Sequence, residues 1–322
     1  MMQGQKSIFS LPGKSVFLVA GILLILAIFP AFHLSGYTLR LMSMIFMWIA
    51  LASCWNVMSG YTGYIDFGPV VYFGIGAYST ALLMSRGGMP FFLSIVISGV
   101  VAVLFAIPVG LPTLRLRGAY FAIATFAFAE AMKQVALEWD RVVGVHFLEG
   151  SHGITLPIGP SHQFFYYTFL VIMTVLFLTS YLIERSRMGY ALKAIHEAED
   201  AAELSGVNTL KIKVSAYAIS AFFTGIIGGV DAYWLTYITP NDVFSIHITI
   251  QMVIMCLLGG MGTLLGPVVG ASFLTLVSEP LWAKFPYDYL IIIGVIIVVV
   301  IVAMPRGIVG TLMERKRRGG GT

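Results

Sequence analysis

Ten stretches of this chain are apolar over roughly the length a helix needs to cross a bilayer, at about residues 15–32, 37–58, 69–85, 90–113, 118–137, 163–183, 213–237, 244–261, 264–278 and 288–304. Crossing some 30 Å of hydrocarbon takes about 20 apolar residues as a helix. In lipid a backbone must satisfy its own N–H and C=O groups, which leaves runs of this length the helix as their form. The third and ninth runs are short and rich in Gly and Pro, so each is either a full span or a broken, re-entrant one. The expected fold is therefore an all-α polytopic transmembrane helical bundle of about 8–10 spans. Only 11% of the residues are charged and 58% are hydrophobic. A soluble domain carries about 25% charged residues, so that class is excluded.

The first run follows Lys6 and Lys14 like a secretory leader, but no small-residue cleavage site follows Phe29, Pro30 and Ala31. A retained first helix is expected. With the N-terminus inside and ten alternating spans, 14 of the 19 Lys and Arg fall on the cytoplasmic side; Arg40, Arg86, Lys133, Arg141 and Lys284 do not. That bias obeys the positive-inside rule and places both termini in the cytoplasm. Residues 1–310 then read as one transmembrane domain and 311–322 as a basic cytoplasmic tail. Its RKRR run suits the anionic inner leaflet, which explains the net charge of +4 without nucleic acid.

Covalent chemistry finds no footing. The GKS at 13–15 lacks the earlier glycine of a phosphate-binding loop, since Ile8 stands there, and no HExxH or GxSxG occurs. The six histidines lack ligand spacing, and Cys54 and Cys256 read as packing residues rather than a disulfide or metal pair. No metal and no cofactor is expected on this chain, and no enzymatic activity. An apolar bundle without catalytic groups points to transport.

One segment breaks the pattern. ERSRMGYALKAIHEAEDAAELSGVNTLKIK, residues 184–213, carries ten charges in 30 residues and falls on the cytoplasmic side. Met188, Ala191, Leu192, Ile195, Ala198 and Ala202 recur at helical spacing, with Glu197, Glu199, Asp200 and Glu203 on other faces. Gly206 stands where a helix ends in a left-handed cap. Surface helices on lipid favour Lys and Arg, so four acids point to a protein partner instead.

The run EAEDAAELSGV (197–207) resembles the coupling loop of ABC importer permeases. GYTGYIDFGPVVYFGIGAYSTALL (60–83), LRLRGAYFAIATFAFAE (114–130), EGSHGI (149–154) and LLGGMGTLLGPVVGA (257–271) resemble, in the same order, landmarks of the high-affinity branched-chain amino acid permeases. The likeness covers about residues 37–310 and lies on the LivM side of that family's LivH/LivM pair. It implies a permease subunit in the bacterial inner membrane, paired with a second, LivH-like permease. It also implies two cytoplasmic ATPases that bind ATP and Mg, and a periplasmic substrate-binding protein. Glu197, Glu199, Asp200, Ala201, Ala202 and Gly206 would form the ATPase-coupling surface. Branched-chain or other hydrophobic amino acids are the implied cargo, with urea and short amides as alternatives. An ion-coupled secondary transporter or a channel, needing no docking loop, is the rival class.

Charges at depth mark candidate path residues, because a lone charge at mid-bilayer costs about 2.5–3.5 kcal/mol on insertion scales. Asp66 lies in the GYIDFGPVV turn, where relatives often carry Ser, with His in place of Pro69. It either borders the path, beside helix N–H groups open to a substrate carboxylate, or belongs to a plain tight turn. Glu130 either faces the path or pairs with Lys133 three residues on. Asp231 follows a small-residue face of Gly225, Gly228 and Gly229 and either lines the path or binds a neighbouring backbone. Asp140, Glu149 and His152 lie in the longest outer loop, the expected docking side for the binding protein.

Overall fold

The computed structural model describes residues 21, 25–32, 35–143, 153–285, 288–304 and 307–311. The helices are α1 (Gly36–Trp55), α2 (Pro69–Ser85), α3 (Phe91–Thr113), α4 (Ala119–Val143), α5 (His162–Arg185), α6 (Arg187–Leu204), α7 (Thr209–Leu235), the single turn α8 (Pro240–Val243), α9 (Ile246–Gly259), α10 (Gly266–Lys284) and α11 (Tyr289–Ala303). Nine of them, all but α6 and α8, coincide with the apolar runs from 37–58 onward. Half of the first run, 15–32, lies outside the described residues, as does nearly all of the basic tail. Five helical stretches are long and apolar enough to cross a membrane by length and composition among the described residues: Gly36–Gly60, Phe91–Thr113, His162–Arg185, Thr209–Leu235 and Pro240–Gly259.

The short third run is a continuous helix of 17 residues. α2 lies parallel to α7, with Tyr72 beside Tyr217, Gly76 against Gly225 and Thr80 against Gly229. Their contact is backbone on backbone. A Cβ added to Gly76 would lie 2.0 Å from the Gly225 carbonyl oxygen, and one added to Gly228 would lie 2.1 Å from that of Phe73. Helices in lipid gain little from apolar burial and associate by close packing, so this glycine seam is the fold's central joint. Across the bundle, α9 and α10 meet the same way, with Gly270 against the Met255 carbonyl.

Hydroxyls in this apolar interior bond to the carbonyl one turn back, as Ser43 does to Leu39 and Ser53 to Ile49. Cys256 donates to the Ala52 carbonyl, and both cysteines are buried and free. The only sheet among the described residues is a two-residue antiparallel pair, β1 (Ile154–Thr155) with β2 (Tyr237–Ile238), which ties the loop before α5 to the end of α7.

Turns assigned to one side by alternation do meet. The 61–68 turn, the 114–118 turn and α6 share one face, and Asn56 clamps the 260–263 turn there through Thr263 O and Gly262 N. The starts of α3 and α5 and the end of α7 gather at the other face, where Phe91, Phe164, Phe165 and Tyr233 pack as a ring cluster.

Candidate functional site

The charged segment folds as a broken helix. Ser186 caps its start by accepting from the Gly189 N–H, and Gly189 sits so close to the end of α5 that a Cβ there would lie 2.2 Å from the Ile183 carbonyl oxygen. Ala198 leaves the helical region (φ −162°, ψ 100°), dividing α6 into 187–197 and 199–204. Sequence periodicity predicts one uninterrupted helix over 188–204, because Ala is the best helix former and nothing local marks the break. The exit is the predicted one. Gly206 has φ +86°, its N–H bonds the Glu203 carbonyl and the Val207 N–H bonds that of Ala202, which is a Schellman cap.

Two ion pairs fasten the two halves to different spans. Lys193 in the first half reaches Glu184 at the end of α5 over 3.0 Å, with the Glu184 side chain only 6% exposed. Glu199 in the second half meets Lys213 in the first turns of α7 at 2.6 Å, where the two side chains are 11% and 3% exposed. Lys213 also donates to the Leu114 carbonyl at 2.8 Å and lies 4.7 Å over the Tyr64 ring. Tyr64 donates its hydroxyl to the second Glu199 oxygen. Arg117 stands 4.0 Å from that oxygen and bonds Asp200 at 2.7 Å. One carboxylate thus joins the α1–α2 turn, the α3–α4 turn, α6 and α7.

Burial alone would raise the Glu199 carboxyl, but hydrogen bonds from Lys213 and Tyr64 and the charges of Lys213 and Arg117 outweigh it and hold it below its ordinary range. Burial and then the Glu199 contact push the Tyr64 phenol up, so it stays a donor. A buried pair is specified by satisfied geometry rather than by raw attraction. Here both Glu199 oxygens and the Lys213 ammonium are satisfied.

The six residues expected at the coupling surface therefore separate. Glu199 turns inward to this node and Ala202 is buried beneath the helix. Glu197, Asp200, Ala201 and Gly206 are exposed, as is Leu204 next to them. Tyr64, Arg117, Glu184, Lys193 and Lys213 were not singled out as site residues by sequence reasoning. Lys213, a lysine inside the edge of an apolar run, is the one with a readable signal.

Asp66 is buried, and its side chain accepts from the Gly68 N–H at 2.8 Å, while its carbonyl accepts from Trp55 Nε1. The Val70 N–H is taken by Thr249 Oγ1 and that of Val71 by the Gly68 carbonyl. The donors that were to greet a substrate carboxylate at the start of α2 are thus already engaged. Glu130 is exposed on α4 and accepts from Gln134, one turn on, rather than from Lys133. Asp231 lies near the end of α7 beside a cavity. The Asp140 backbone belongs to α4; Glu149 and His152 lie outside the described residues. Among the described residues no group of three His, Cys, Asp or Glu is placed to hold a metal ion.

The permease component family of branched-chain amino acid transport systems matches residues 37–301. The chain is 28% identical to the high-affinity branched-chain amino acid transport system permease protein LivM of Escherichia coli, over 92% of this chain and 75% of that protein. LivM of Salmonella typhimurium is 27% identical over the same shares. A ribose import permease protein, RbsC of Haemophilus influenzae, is 26% identical over 44% of this chain and 45% of its own length.

Proposed function

The chain belongs to the branched-chain amino acid transport permease family, as a transport component and not a catalytic one, and from that membership we propose how it works within a complete importer. It pairs with a second, LivH-like permease in the bacterial inner membrane. Two ATPases dock from the cytoplasm, supply the bound ATP and Mg, and drive the passage of hydrophobic amino acids brought by a periplasmic binding protein. Both termini are cytoplasmic on this reading, and the outer segment with Asp140 at the end of α4, and with Glu149 and His152, faces the binding protein.

The observation that carries it is the Glu199 node. The exposed edge of α6, with Glu197, Asp200, Ala201, Leu204 and Gly206, is the ATPase-docking face. The inward edge is bolted to α7 and to two interhelical turns. A push on the outer edge is therefore delivered to the spans without a loose joint. An ATPase that moves the docking face moves α7.

Affinity purification from native membranes tests the reading. An ATPase with phosphate-binding motifs should accompany the chain and be lost when residues 197–206 are scrambled. A chain that emerges alone, yet transports after reconstitution without ATP, would make it an ion-coupled or passive transporter.

A further inference from the structure

On the face opposite α6, the ends of α1, α5 and α7 do not close on one another and leave a half-open cavity of about 560 Å³. That size suits a small organic ligand. Arg40 projects into it from α1 and Asp231 from α7. Neither has a hydrogen bond or ion pair among the described residues. For Asp231 this is unusual, since a charge within the depth of the spans ordinarily pairs with another or with backbone; Arg40 lies exposed in the first turns of α1. Met44, Met47, Phe165 and Trp234 also line it.

Two opposite charges that share a cavity and do not meet leave room for a third body bearing both signs. We propose that this cavity binds a free amino acid with an apolar side chain. Its carboxylate meets the Arg40 guanidinium, its ammonium meets Asp231, and its side chain lies against the methionines and the Phe165 and Trp234 rings. The guanidinium fork suits a carboxylate, and Met adapts to aliphatic shapes of differing branch. Arg40 also borders a second cavity of about 530 Å³ with Gln251, Ser278 and Glu279. That cavity offers a carboxylate too, but only Leu41, Met44 and the Tyr37 ring as apolar lining, which makes it the poorer fit.

The assignment rests on the transport reading, and the test separates the two. In proteoliposomes holding the complete importer, wild type should import leucine with ATP; failure there sinks the transport reading itself. Arg40→Gln and Asp231→Asn should each lower leucine imported per ATP hydrolysed by about tenfold, the loss of one charge-assisted hydrogen bond. Arg40→Lys and Asp231→Glu should recover part of it. An unchanged ratio in the first two variants, or an equal loss in Glu279→Gln, overturns the site. A second measurement needs neither transport nor a charge variant. Millimolar leucine should slow maleimide labelling of a Leu235→Cys protein in detergent, where the native cysteines are buried. Leucinamide, lacking the carboxylate, should not; equal protection by the amide, or none by leucine, overturns the site.

Discussion

Replacing Glu199 by Gln leaves the Lys213 ammonium buried with its countercharge gone. Breaking such a pair costs about 3–5 kcal/mol, which thermal unfolding of the purified protein would register as a lower midpoint. The double variant Glu199→Leu/Lys213→Met removes both charges and should regain most of that stability. It should still lose ATP-driven uptake, because the Tyr64 and Leu114 links go with it; normal uptake in the double variant would show that the node is structural only. The same pair sets an acid limit. Glu199 is held below its unfolded value of about 4.3, so its stabilisation is complete above that pH and drains away as pH falls through the folded value. Wild type should show this acid loss, and the double variant should lack it. At Gly206 the backbone is left-handed with nothing within 4 Å of an added Cβ. Gly206→Ala should therefore cost about 1–2 kcal/mol of conformational strain, with Gly206→Asn milder because Asn tolerates that region.

Among the elements, the α2–α7 seam is the least tolerant of added volume. Gly76→Ala sets a methyl 2.0 Å from a carbonyl oxygen that no rotamer change can move. The helices must part, at a cost of about 1–3 kcal/mol or more. Gly294→Ala on α11, where an added Cβ meets nothing within 4 Å, should stay within about 0.5 kcal/mol of wild type. Comparing the unfolding midpoints of the two variants in one detergent checks this. Most helix ends were legible in the sequence because bilayer thickness imposes a length on apolar runs and Gly and Pro punctuate them, but α4 runs on to Val143 and α10 to Lys284, each six residues past its apolar run. The small-residue face at Gly225, Gly228 and Gly229 was legible for the same reason, spacing along one helix. The break at Ala198 was not, since local propensity there favours helix. Nor was the inward turn of Glu199, whose partner Tyr64 is 135 residues away. Burial of a charge is decided by such distant pairs, and spacing within one helix says nothing of them.

At the scale of the whole molecule, alternation of the spans sorts the turns onto two faces, and cysteine labelling in oriented vesicles can test that sorting. Gly88→Cys, between α2 and α3, should react with a membrane-impermeant maleimide from outside the cell. Asp200→Cys should react only once the inner face is opened; the reverse order would invert the proposed orientation. Cys54 and Cys256 are buried, so the native background should be quiet.

α7 runs unbroken for 27 residues, a rise of about 40 Å, from the Lys213 pair to the short strand that continues it and grips Ile154. Its two ends therefore answer to one tilt. Where one rod serves two docking faces, thermodynamics makes their influence mutual. If a partner seated at the strand end favours one tilt by some factor, a partner on α6 that prefers that tilt binds more tightly by the same factor. The affinities at the two proposed docking faces would then be two readings of a single free energy, and measuring the shift at either face gives the other.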